Sequence, residues 1–127
     1  MQEYVLKSKD FLVSQTDEKG IILFANNIFC SASGYTIQEL VGQPHNIIRH
    51  PDMPSAAFKD LWETVQGGDI WRGYVKNITK DGGFYWVYAV VYPMYDEVTK
   101  TKTYISCRKK PSQEEISKAE KLYATLK

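Results

Sequence analysis

Residues 42–54 read GQPHNIIRHPDMP and place His45, Arg49, His50 and Asp52 within a single short stretch. His45 and His50 are the chain's two histidines. A cation and free backbone donors at a helix start suit a phosphate or another anion. The bland alternative is an exposed Arg/Asp ion pair, which is worth little in stability. Pro51 biases His50 away from helical dihedrals, and Pro54 suits the first position of a new helix. The stretch therefore reads as a loop delivered onto a helix start.

A second candidate is Asn77, within WRGYVKNIT. Strand alternation puts Trp71, Gly73, Val75 and Asn77 on one face and the charged Arg72 and Lys76 on the other. An inward Asn among apolar neighbours must find hydrogen-bond partners or cost a few kcal/mol. Those partners are either neighbouring backbone and buried water or the amide edge of a ligand.

The elements that hold these residues follow from short-range patterns. DFLVSQT and GIILFA are β-type runs joined by TDEKG, which carries hairpin turn chemistry. Asn26 caps a short helix that Gly34 stops, and Thr36 with Glu39 forms a capping box for another turn. Phe58, Leu61, Trp62 and Val65 show the spacing of one buried helix face, ended by Gly67-Gly68. WRGYVKNIT, a KDGG turn and FYWVYAVVYPM make a second hairpin, and TKTYISCR a last strand. Ser112 and Glu115 cap a final helix carrying Ile116, Ala119, Tyr123 and Leu126 on one stripe.

With 127 residues and 43% hydrophobic content, one domain is expected. A formal net charge of +1 points to neither nucleic acid nor an acidic membrane face. No apolar run approaches the roughly 20 residues that span a bilayer. Cys30 and Cys107 lie far apart and read as small packed hydrophobes, and with no export signal this suggests a cytoplasmic setting, including the cytoplasmic part of a membrane-anchored receptor. No nucleophile with a base, metal cluster or phosphate loop appears, so no enzyme is expected.

The order strand, strand, several short helices, three strands is that of the PAS sensory domain. ANNIFCSASGYTIQELVGQPHNIIRHPDMPSAAFKDLW and GYVKNITKDGGFYWVYAVVYPM closely resemble the N-terminal PAS domain of bacterial aerotaxis (energy-taxis) receptors. The resemblance runs from about residue 10 to 126. It implies an α+β fold: a five-stranded antiparallel sheet with short helices on one face, a C-terminal helix at 111–127, a PAS body at 10–110 and an N-terminal cap at 1–9. It also implies non-covalent FAD whose redox state reports energy or oxygen status to a chemotaxis output. The family's RHPD residues fall on Arg49, His50 and Asp52, its pocket tryptophan on Trp71, its strand asparagine on Asn77, and its helix-opening asparagine on Asn26.

Flavin-binding light sensors of the same superfamily carry their photochemical cysteine where this chain has His45, so adduct chemistry is not expected. Val87 replaces the second of their flavin-contacting asparagines. His45 is open to three readings: a cofactor contact, an axial ligand in a haem gas sensor (a role His50 shares), or a packing residue. Trp62 is a core residue or a ligand wall. A cofactor-free PAS dimerisation module is the remaining class.

Alternation sends Tyr74, Ile78, Trp86, Tyr88 and Val90 to the outer sheet face, which is too apolar for water. Its candidate covers are the N-terminal segment, the C-terminal helix, a second copy in a homodimer, or a downstream signalling domain.

Overall fold

In the computed structural model, which describes residues 2–126, strand β1 (Phe11–Thr16) buries Leu12, Ser14 and Thr16 on one face. β2 (Ile22–Ala25) returns antiparallel to it. The turn between them is tied by Asp17, whose Oδ1 accepts from the backbone N–H groups of Lys19 and Ile21. Met1 and Lys127, the outermost residues of the expected cap and C-terminal helix, lie outside the described residues.

Capping chemistry then sets the helices. Asn26 accepts from the Phe29 N–H and starts α1 (Asn27–Ser33), which Gly34 ends at φ 81°. Both halves of the Thr36/Glu39 capping box are made at α2 (Ile37–Leu40). Pro54 takes the N-cap position of α3 (Ser55–Gln66), one place earlier than its expected first helical position. β3 (Trp71–Ile78), β4 (Phe84–Asp96) and β5 (Thr101–Lys109) complete an antiparallel sheet of order β2-β1-β5-β4-β3. α4 (Gln113–Leu126) follows, with the Ser112/Glu115 box formed. The architecture is the expected α+β arrangement of five strands.

The 42–54 stretch departs from a plain loop. His45–Ile48 forms a 3-10 helix, and Arg49 makes an antiparallel bridge to Asn77. The His50 N–H also donates to the Lys76 carbonyl at 3.3 Å. β3 is an edge strand whose free backbone groups need partners, and this segment supplies them.

The apolar outer face is partly covered by the chain's own C-terminal helix. Ile116 and Ala119 of α4 are buried, and Tyr123 stacks on Trp86 with ring centroids 6.3 Å apart. The Tyr123 hydroxyl donates to the Tyr74 carbonyl, and the Tyr74 hydroxyl donates to Glu115. That bond to a carboxylate is the largest cause pushing the Tyr74 phenol up to about 12. Tyr74, Ile78, Tyr88 and Val90 are half-buried and Trp86 is buried, so α4 covers part of this face. At the start of β4 the N-terminal segment pairs as well, Tyr4 N–H donating to the Phe84 carbonyl at 2.8 Å. Tyr123→Ala should cost about 2 kcal/mol through lost stacking and one hydrogen bond. Limited proteolysis should then cut within α4 while ligand binding on the opposite face persists; an uncut α4 would show that Tyr123 does not hold it.

Candidate functional site

The inner sheet face and the helices enclose a cavity of about 280 Å³. Cross-strand pairing builds its floor. Ser14 and Val91 flank Ser106, and Ala89 flanks Arg108, so small side chains of three strands lie side by side. Val75 and Asn77 close one end. Phe58, Leu61 and Trp62 of α3 form the apolar wall, with Trp62 edge-on to Tyr104 at 5.4 Å between ring centroids. Lys19, Pro44 and Asn46, all exposed, mark its rim. Among the described residues, Lys19, Arg49 and Arg108 line this cavity and no carboxylate does.

Arg108 is the strongest electrostatic feature and was not among the residues expected from sequence. It is 5% exposed, and one terminal nitrogen, Nη2, donates to Ser14 Oγ at 3.0 Å and meets His45 Nε2 at 2.8 Å. The guanidinium also lies over the Phe29 ring at 5.0 Å. Desolvation by burial brings its pKa down to about 10, which leaves it a cation at neutral pH. Its other terminal nitrogen, Nη1, is buried without a partner.

Burial, and then the Arg108 charge, bring the His45 imidazole down to about 3, so the ring is neutral. Its Nε2 lone pair accepts from Arg108, which assigns the ring proton to Nδ1. His45 lines the cavity. A lone pair engaged by a guanidinium is not offered to iron, and that cation repels a metal, so the geometry does not favour the haem reading.

Asn77 is 2% exposed and its Nδ2 has no partner. Ser106 Oγ is in the same position, and so is the hydroxyl of Tyr85, directly across from Asn77 on β4. Burial pushes the Tyr85 phenol up to about 12, against the opposing effects of Arg108 and the nearby Asn77 amide. That amide is close enough to act on the phenol without meeting hydrogen-bond geometry. Such buried orphans are rare in folded proteins, and three of the residues that carry them, Asn77, Ser106 and Arg108, line this cavity.

The RHPD residues lie at a second feature. Arg49, His50, Asn46, Pro51 and Met53 line a shallow groove of about 430 Å³. Asn46 and Arg49 border both the groove and the cavity. The Arg49 guanidinium sits over the Phe58 ring at 4.3 Å. His50 is buried and its Nδ1 accepts from the Asp52 N–H at 3.0 Å. The exposed Asp52 carboxylate lies 2.8 Å from Lys76 Nζ, outside both the cavity and the groove lining.

Two further expected site residues are placed elsewhere. Asn26 Oδ1 accepts from the N–H groups of Val13 and Phe29 while Nδ2 donates to the Phe11 carbonyl, so its amide is used in joining α1 to β1. Trp71 does not line the cavity. Its indole lies on Gly73, where a Cβ would come within 2.4 Å of the ring, and its Nε1 donates to Asp60 at 2.9 Å. Trp62, by contrast, does line the cavity. Arg108, Ser14 and Ser106 were missed because an arginine near a strand end reads as exposed; alternation through Tyr104 and Ser106 was the available signal.

Comparison with known proteins adds four findings. The chain is 50% identical over 115 residues, 91% of its length, to 22% of the aerotaxis receptor of Escherichia coli. It is 27% identical over 97 residues, 76% of its length, to 20% of a nitrogen fixation regulatory protein of Klebsiella oxytoca. The chain thus spans about a fifth of the length of these curated relatives. Among solved structures, a light-oxygen-voltage domain studied with a flavin analogue superposes with a TM-score of 0.73 at 20% identity, covering 92% of this chain and 87% of that one. The PAS fold family model matches residues 22–107, the span from β2 through most of β5, and the chain belongs to the PAS family.

Proposed function

We propose that the chain is a flavin-binding PAS sensor module that takes FAD and reports redox or oxygen status to a taxis output without turning over a substrate. The observation that carries this reading is the cavity itself: it is apolar and aromatic on one side, lined by three cations and no carboxylate, and bordered by buried polar atoms that lack partners. Ligand cavities are lined mostly by apolar groups with a few polar ones that fix orientation, and they run from roughly 300 Å³ upward, so a flat ring system fits only with its tail outside. The groove that begins at Asn46 and Arg49 gives such a tail a path. The bound flavin supplies the reversible redox change.

Each residue then has a distinct task. Asn77 and Ser106 offer hydrogen-bonding groups to the ring's polar edge, Trp62 and Phe58 exclude water, and Arg49 presents its guanidinium to phosphate. Arg108 favours added electron density in the cavity because it is a cation in a low-dielectric site. Neutral His45 keeps Arg108 in place. β3 carries Asn77 on the inner face and Tyr74 on the outer, so a change at the amide reaches the α4 contact through one strand. The relatives' names, an aerotaxis receptor among them, support the taxis assignment.

Titrating the apoprotein with FAD, FMN and riboflavin tests this reading. The parent should bind all three with flavin absorbance, and Arg49→Ala should weaken FAD roughly 10- to 150-fold, the loss of a charge-assisted bond, and riboflavin far less. No binding of any flavin by the parent would overturn the assignment.

A further inference from the structure

Asn77 and Tyr85 are direct cross-strand partners on β3 and β4, and opposed residues of an antiparallel pair share a face with neighbouring Cβ atoms. Both are almost fully buried, at 2% and 0% exposure, and each keeps a polar atom without a partner. Asn77 lines the cavity whereas Tyr85 does not, so the phenol stands behind the amide. On its far side Tyr85 meets the Tyr4 ring edge-on, with centroids 6.2 Å apart. A phenylalanine would fill the same space without leaving a buried hydroxyl unsatisfied. A tyrosine that carries this cost in the empty chain has a reason outside its own packing.

We propose that Tyr85 is a positioning residue for the cavity ligand: its hydroxyl oxygen accepts from Asn77 Nδ2–H₂ and so turns Asn77 Oδ1 toward a donor N–H on the ligand's planar amide or imide edge. An amide has one acceptor and two donors on a single rotor, so holding the amine end fixes where the oxygen points. This inference rests on the flavin reading for the ligand's identity and on the cross-strand pair for its geometry. A structural role for the hydroxyl and a ligand-directed one give opposite signs. Removing the hydroxyl takes away only an amide contact that falls short of hydrogen-bond geometry, so the free chain stays as stable or gains, and the bound state loses.

The decisive variant is Tyr85→Phe, with Asn77→Ala and the double variant. The free Tyr85→Phe chain should unfold at the same urea midpoint as the parent or a higher one, and its affinity for riboflavin, FMN and FAD should each fall about 10-fold. In the Asn77→Ala background, Tyr85→Phe should bring no further loss. Two Asn77 side-chain amide proton signals, assigned by their absence in Asn77→Ala, should shift in Tyr85→Phe even without ligand. Unchanged flavin affinity, an additive loss in the double variant, or unmoved amide signals would each overturn the proposal. If the parent binds no flavin, the flavin reading falls while the amide signals still decide whether Tyr85 orients Asn77.

Discussion

Trp71→Ala should destabilise the chain by about 3 to 5 kcal/mol, the cost of removing a buried tryptophan. The ring is 7% exposed, rests on Gly73 and is tied to α3 through Asp60, so its loss opens a void between sheet and helix. Gly73→Ala should itself cost roughly 1 to 3 kcal/mol, because a Cβ there meets the indole at 2.4 Å and forces it to move. The two costs share one contact and are not additive: with Trp71 already replaced by alanine, Gly73→Ala should be near neutral. Urea unfolding of the four proteins measures this coupling. A double variant as unstable as the sum of the singles would show that Gly73 is not required by the ring. The same packing makes flavin loss in Trp71→Ala a consequence of unfolding more than of a missing ring contact, which removes Trp71 as a clean probe of the cavity.

The second large effect is a loss of stability in acid traced to His45. Its folded pKa of about 3 lies below the ordinary 6.5, so below pH 6.5 the unfolded chain takes up a proton that the folded chain refuses. Stability from this group is complete above pH 6.5 and declines as pH falls towards 3. Between pH 7 and pH 4 the decline amounts to roughly 3 kcal/mol. The opposing charge is Arg108, which stays protonated throughout that range. His45→Gln keeps an acceptor for the guanidinium but does not titrate. Its urea-unfolding free energy should therefore fall by about 3 kcal/mol less than the parent's over the same interval. Parallel pH profiles would mean that the imidazole is neither desolvated nor repelled.

The sequence by itself determined the elements, because their signals are local. Asn26, the Thr36/Glu39 pair and the Ser112/Glu115 pair act over three residues, and each cap formed where it was read. Alternation through β3 and β4 put Asn77 inward and Trp86 outward, whereas the backbone bridge that sets Arg49 beside Asn77 had no signal in the sequence. Only tertiary structure decided the electrostatics of the cavity. Arg108 is 63 residues from His45 and 94 from Ser14, and the β1–β5 pairing that brings the three together has no local signal. The same holds for what covers a face: Tyr123 lies 49 residues from Tyr74, and the apolar outer sheet was legible as unfinished without its cover being legible. Trp71 shows the remaining limit. Its inward direction follows from strand period, but whether an inward ring lines a cavity or closes on a glycine depends on α3 and Asp60, which periodicity does not place.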